Sequence, residues 1–119
     1  DKLYSLPLSP GRNQKGAESV GLKPTELNGA ATQVFLMSEQ SEDDGLMKTS
    51  GDAFTIVMAS YRSPLVEQAD VVLPTPLWYE RAGHVTSLEG QVKPLSVVLE
   101  KPETVRDDAE VLTTLADMV

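Results

Sequence analysis

Cysteine is absent from this chain. Within these residues that excludes disulfides, thiolate zinc sites, iron–sulfur ligation and a cysteine nucleophile. Histidine is almost missing as well: His84 stands alone, and metal sites usually draw on three or four ligands. Basic residues are scarce, with 10 Lys and Arg against 18 Asp and Glu and a formal net charge of −8. Phosphate neutralisation needs clustered Lys and Arg, so nucleic acid is not an expected partner. An anionic membrane surface is disfavoured on the same ground. No apolar run approaches the ~20 residues that span a bilayer, so direct membrane insertion is not expected either. The opening Asp1-Lys2-Leu3 shows neither an initiator Met nor a signal-peptide core, and reads as an excised or processed piece of something longer.

What is present suits one compact domain over residues 1–119. The chain is 40% hydrophobic, and a domain of this length buries roughly 65% of its unfolded surface without a covalent staple. Leu3–Leu8 reads as a short strand, closed by Pro7 and the turn Ser9-Pro10-Gly11. Asn13 to Gly21 fits a short helix, with Asn13 as N-cap and Gly21 as its stop. Thr32–Met37 and Phe54–Ala59 are strands, the latter apolar enough to be covered on both faces. Between them Ser38–Asp52 is an acidic, glycine-broken loop.

Ser63-Pro64 caps and opens a helix to Ala69, which leads into a strand over Asp70–Leu73. Repeated strand–connection–strand units predict an α/β fold with a parallel sheet of about four strands. The tail differs: Val85–Leu88 and Val92–Leu99 flank Glu89-Gly90-Gln91 as an antiparallel hairpin. Asp107 with Glu110 then marks a capping-box start, and Val111, Leu112, Leu115 and Met118 form the apolar stripe of a last helix.

Several groupings carry potential chemistry. The Gly11–Ala17 turn opens a helix after a strand, where backbone N–H groups favour an anion and Arg12 and Lys15 add charge. It lacks the order of a P-loop or a dinucleotide fingerprint, and a structural turn is the favoured reading. Ser60, Ser63, Asp70 and His84 contain the ingredients of a hydrolytic triad, but no G-x-S-x-G elbow exists and the triad is rejected. His84 is expected on a surface loop, with a general-base role as the alternative. Glu39, Glu42, Asp43 and Asp44 lack the spacing of a calcium loop and read as a solvated acidic face. Tyr61, Trp78 and Tyr79 follow strand ends and are read as an interdomain contact, with stacking on a flat ligand as the alternative. No catalytic residue and no metal ligand set is identified.

These pieces stand in the order found in the molybdopterin oxidoreductase family, which includes formate dehydrogenases and the large iron–sulfur subunit of respiratory complex I. Asn13, Gly16, Ala17 and Gly21 match its N-x-x-G-A-x-x-x-G pattern, and Ser63 to Pro74 matches its T/S-x-x-x-x-A-D-V-V-L-P segment. Glu80, Gly83, Thr86, Glu89 and Gly90 match E-x-x-G-T-x-T-N-x-E-G-R, while Asp107 to Leu112 is similar to a D-D-W-E-I-L ending. Two positions depart: Ser87 replaces the family's Asn and Gln91 its Arg. The acidic loop has no counterpart.

The resemblance implies a Rossmann-like domain of a larger redox subunit, placed in the cytoplasm or peripherally on an inner membrane (on the matrix side in a mitochondrion). Its partners would be other domains or subunits of a redox complex. In catalytic relatives such a domain helps hold a pterin guanine dinucleotide, while the iron–sulfur cysteines lie elsewhere. On that reading Asn13, Gly16, Ser63, Thr86, Glu89 and Gln91 would surround the cofactor. Loss of the Arg removes a charge able to pair with pyrophosphate. The favoured expectation is therefore a structural domain of a complex I-like NADH-quinone oxidoreductase subunit in electron transport, with no cofactor of its own. The alternatives are the pterin-contacting part of a molybdenum or tungsten formate dehydrogenase, and an interaction module that keeps only the fold.

Overall fold

The computed structural model describes residues 13–22, 30–38 and 52–118. The expected strand Leu3–Leu8, the Gly11-Arg12 part of the turn and the acidic cluster Glu39–Asp44 lie outside the described residues. The chain forms two compact units: one combines residues 1–25 and 83–95, the other residues 26–82 and 96–119.

The larger unit is built on a parallel sheet. Strands β1 (Thr32–Ser38), β2 (Phe54–Ala59) and β3 (Val71–Pro74) lie in the order β1-β2-β3, with β2 pairing in parallel with both neighbours. The central position of β2 explains its composition. Val57 on one face and Met58 on the other are both fully buried, so both faces of this strand are covered. On β1 the alternation is cleaner: Gln33, Phe35 and Met37 turn inward while Val34 and Leu36 are exposed.

Helix α1 (Gln14–Ser19) belongs to the smaller unit, and α2 (Pro64–Gln68) connects β2 to β3. Ser63 starts α2 as the sequence predicts: its extended backbone precedes Pro64 at the first helical position, and its hydroxyl accepts from the Val66 N–H at 3.2 Å. One face of this short helix buries Leu65 against Phe35, Met37, Val57 and Ala59, with Val66 and Ala69 alongside. Burying one leucine contributes roughly 2 kcal/mol, and a helix this short depends on such packing rather than on its own propensity.

Asp70 registers the return of the chain to the sheet. Its N–H donates to the Thr55 carbonyl at 3.0 Å, and its Oδ2 accepts from the Thr55 N–H at 2.7 Å. The aspartate of the Ala-Asp-Val-Val-Leu-Pro segment thus closes the first rung between β2 and β3.

After β3 the 3-10 turn Trp78–Glu80 is closed by its own glutamate, whose Oε2 accepts from the Leu77 N–H at 2.8 Å. Helix α3 (Asp108–Asp117) also belongs to the larger unit. Two expectations about it are corrected. Asp107 occupies the N-cap position without a cap hydrogen bond, because its carboxylate pairs with Lys101 at 2.7 Å and Glu110 pairs with Arg106 at 3.4 Å. The half-buried arc is Asp108, Val111, Thr114 and Leu115, leaving Leu112 and Met118 exposed. The rotation follows the ion pair between Arg81 Nη1 and Asp108 Oδ2 at 2.5 Å, which turns a polar residue inward.

The smaller unit contains α1 and the antiparallel pair β4 (Gly83–Thr86) and β5 (Val92–Leu95). Against the expected Val85–Leu88 and Val92–Leu99, the first strand begins earlier, at Gly83, and both strands end sooner, at Thr86 and Leu95. Ser87 belongs to the turn, and Val98 and Leu99 donate their N–H groups to the Tyr79 carbonyl, at 2.8 and 3.0 Å, instead of extending the ladder.

Candidate functional site

Five of the six expected site residues, Asn13, Gly16, Thr86, Glu89 and Gln91, fall in the smaller unit; Ser63 falls in the larger one. The smaller unit is organised around Asn13. This residue adopts a left-handed conformation (φ 57°, ψ 26°), which asparagine tolerates better than most residues. Its main-chain carbonyl accepts from the Ala17 N–H at 3.0 Å and so starts α1. Its side chain does not cap the helix. Instead Oδ1 accepts from the Thr86 N–H on β4 at 2.7 Å.

The glycine three residues on now has a local reason. A Cβ at Gly16 would lie 2.8 Å from Asn13 Cγ, inside contact distance, so the folded-over amide needs a residue without a side chain there. Lys15 adds a second tie, its ammonium donating to the Leu88 carbonyl. Past the last turn of α1, Gly21 takes φ 83°, and the Gly21 and Leu22 N–H groups donate to the Glu18 and Ala17 carbonyls at 3.0 and 3.1 Å. This Schellman arrangement is the stop expected at Gly21.

The two departures from the family pattern meet in the hairpin turn. Ser87 N–H donates to the Gln91 carbonyl at 2.8 Å, and Ser87 Oγ accepts from the Gln91 N–H at 3.2 Å. Gly90 at φ 84° lets the chain reverse, its N–H donating to the Ser87 carbonyl at 2.9 Å. Glu89 and the Gln91 side chain lie on the exposed surface of this turn. His84 is also exposed, on β4 rather than on a loop.

The fit to a pterin guanine dinucleotide can be judged from these groups. A pyrophosphate needs N–H donors or cations aimed outward. Here the Lys15 ammonium is bonded to a main-chain carbonyl, the Thr86 N–H to Asn13, and the Ser63 hydroxyl is buried as a helix cap. Glu89 brings a negative charge and Gln91 none. Among the described residues these groups, as they stand, do not form a ready cradle for an anionic dinucleotide.

In the larger unit Ser60 and Thr75, past the ends of β2 and β3, are likewise engaged. Ser60 Oγ lies 3.0 Å from Thr75 Oγ1 and donates to the Thr75 carbonyl at 3.1 Å. With Asp70 bonded to Thr55, neither residue serves a triad. Tyr61 and Trp78 are exposed, and the Trp78 and Tyr79 rings meet edge to face with centroids 5.4 Å apart.

Asp108 is the group among the described residues with a displaced pKa. Burial pushes its carboxyl above the ordinary aspartate range, the Arg81 guanidinium pulls it back, and Asp107 and Lys101 add smaller opposing pushes. Among the described residues no cluster of His, Asp and Glu could hold a metal ion. No helix there is long and apolar enough to cross a membrane.

Sequence reasoning missed Lys15 as a structural tie, and Arg81 and Asp108 altogether. Only the pairing of Asn13 with a glycine three residues later carried a signal, since it fits an amide lying across the first turn.

Comparison with known proteins gives concordant matches. Residues 8–118 match the family model described as Molybdopterin oxidoreductase. NADH-quinone oxidoreductase subunit 3 of Thermus thermophilus is 31% identical over 121 aligned positions, which cover 94% of this chain and 15% of that protein. The assimilatory nitrate reductase of Haloferax mediterranei is 37% identical over 68 residues, covering 57% of this chain and 10% of that protein. The chain therefore spans a small fraction of the curated relatives it matches. No solved structure gives a significant match.

Proposed function

The chain belongs to the molybdopterin oxidoreductase family, and from that premise we propose that residues 1–119 are a Rossmann-like structural domain of a larger NADH-quinone oxidoreductase-type subunit. The domain supplies shape and interfaces to an electron-transport assembly, in the cytoplasm or peripherally on an inner membrane. Electrons pass through cofactors held outside these residues. One observation carries the scaffold reading: Asn13 Oδ1, the Lys15 ammonium and the Thr86 N–H are engaged in holding α1 to the hairpin. Asn13 and Lys15 bond Thr86 and Leu88, while Ser87 Oγ and the Gln91 N–H close the hairpin turn itself. Alignment with the Thermus subunit over nearly the whole chain supports the same assignment.

The nitrate reductase relative favours a second reading, in which the domain contacts the pterin of a molybdenum or tungsten enzyme. On that reading Asn13, Gly16, Ser63, Thr86, Glu89 and Gln91 would rearrange around the ligand. The two readings separate by metal analysis and pterin extraction of the full-length protein in its native assembly. The scaffold reading expects metal and pterin contents that Thr86→Val and Glu89→Gln leave unchanged. Stoichiometric molybdenum or tungsten that is lost in those variants would refute it.

A further inference from the structure

Downstream of β5 the chain carries three consecutive large apolar residues in the open: Val97, Val98 and Leu99 are 52%, 69% and 58% exposed. Isolated exposed hydrophobes are ordinary, whereas a contiguous run on a soluble surface marks a contact site. This run is fixed in place, because the Val98 and Leu99 N–H groups both donate to the Tyr79 carbonyl, at 2.8 and 3.0 Å. Trp78, beside Tyr79, is 50% exposed, and its ring is braced against that of Tyr79. The main chain of Val98 and Leu99 is thus pinned beside the Trp78–Tyr79 turn within the larger unit. A backbone already held loses less freedom on association, and tryptophan is the residue type most often found as an interface anchor.

Between residues 100 and 106 the charges without an ion pair have one sign. Glu100 and Glu103 are exposed and carry no ion pair among the described residues. The neighbouring cations are engaged elsewhere, Lys101 with Asp107 at 2.7 Å and Arg106 with Glu110 at 3.4 Å. An acidic border on a chain of net charge −8 repels anionic lipid and a second copy, and attracts Lys and Arg. We propose that Trp78, Val97, Val98 and Leu99, bordered by Glu100 and Glu103, dock an apolar protein surface rimmed by Lys or Arg on the same polypeptide outside residues 1–119. That source follows from the Thermus relative, in which the aligned stretch is 15% of one polypeptide. The inference rests on the proposed role as one domain of a larger subunit.

The test is photo-cross-linking in the full-length protein in its native assembly, with p-benzoylphenylalanine replacing Val98 and, separately, Trp78. The expected adduct is a peptide of the same polypeptide from outside residues 1–119, with Lys or Arg close to the cross-linked residue. Glu100→Lys combined with Glu103→Lys lowers the yield several-fold, while Glu67→Lys on α2 leaves it unchanged. No adduct, an adduct with lipid, with a separate subunit or with an isotopically labelled second copy, or a yield indifferent to the charge reversal, overturns the proposal. Cross-linking does not depend on metal or pterin content, so its failure and failure of the scaffold reading are told apart.

Discussion

Arg81→Met is expected to destabilise the fold by about 1–3 kcal/mol near neutral pH. The guanidinium lies 2.5 Å from Asp108 Oδ2, and the two side chains are 28% and 15% exposed. The second carboxylate oxygen, Oδ1, is buried without a hydrogen-bond partner among the described residues. Removing one member of a buried pair costs roughly 3–5 kcal/mol, because the survivor stays charged out of water. Partial exposure of Arg81 screens the pair and lowers that figure to the stated range.

The pH dependence has a definite sign. Burial raises the Asp108 pKa in the folded state, so the folded chain holds this proton more tightly than the unfolded one. Its contribution to stability then falls as pH rises from the ordinary aspartate value through the folded value. Losing Arg81 raises the folded value further, so the Arg81→Met penalty shrinks in acid. Asp108→Asn removes the buried charge and costs less than about 1 kcal/mol, and the double variant recovers most of what Arg81→Met loses. Urea denaturation at about pH 8 and about pH 5 measures all three, above the pI of about 4.5. The reasoning fails if Asp108→Asn is as damaging as Arg81→Met, or if the Arg81→Met penalty grows on acidification.

Three further outcomes follow from single contacts. Asp70→Ala orphans the N–H of buried Thr55 and should cost about 1–3 kcal/mol in urea denaturation, with Asp70→Asn milder because its amide oxygen still accepts. Gly16→Ala pushes the Asn13 amide off Thr86. It should cost about 1 kcal/mol, visible as a Thr86 amide shift in NMR spectra, where a gain in helix stability would count against the steric argument. Leu65→Ala empties the contact between α2 and the sheet and should lower stability by about 2–5 kcal/mol; a loss below about half that range would mean that α2 does not hold this face.

The parallel core was legible because its signals are local. The apolar run Phe54–Ala59 needs cover on both faces, and Ser63-Pro64 can hardly do other than begin a helix. What escaped the sequence depends on partners far along the chain. Asp107 looks like an N-cap until Lys101 takes its carboxylate. The inward arc of α3 includes Asp108 and Thr114, since Arg81 sets the helix's rotation and no count of apolar residues reveals that. At the candidate site the residue types were legible, but the bonds among them were not. Asn13 and Thr86 are bonded across most of the chain, a pairing that no local pattern reveals.

Amide hydrogen exchange at Thr86, followed residue by residue in the chain without added cofactor, probes that bond most directly. If the site's polar groups hold α1 to the hairpin, this amide exchanges slowly, and Asn13→Ala speeds it without altering the amides of β2. Fast exchange in the free chain, slowed only when pterin guanine dinucleotide is supplied, would contradict the structural role assigned to this domain.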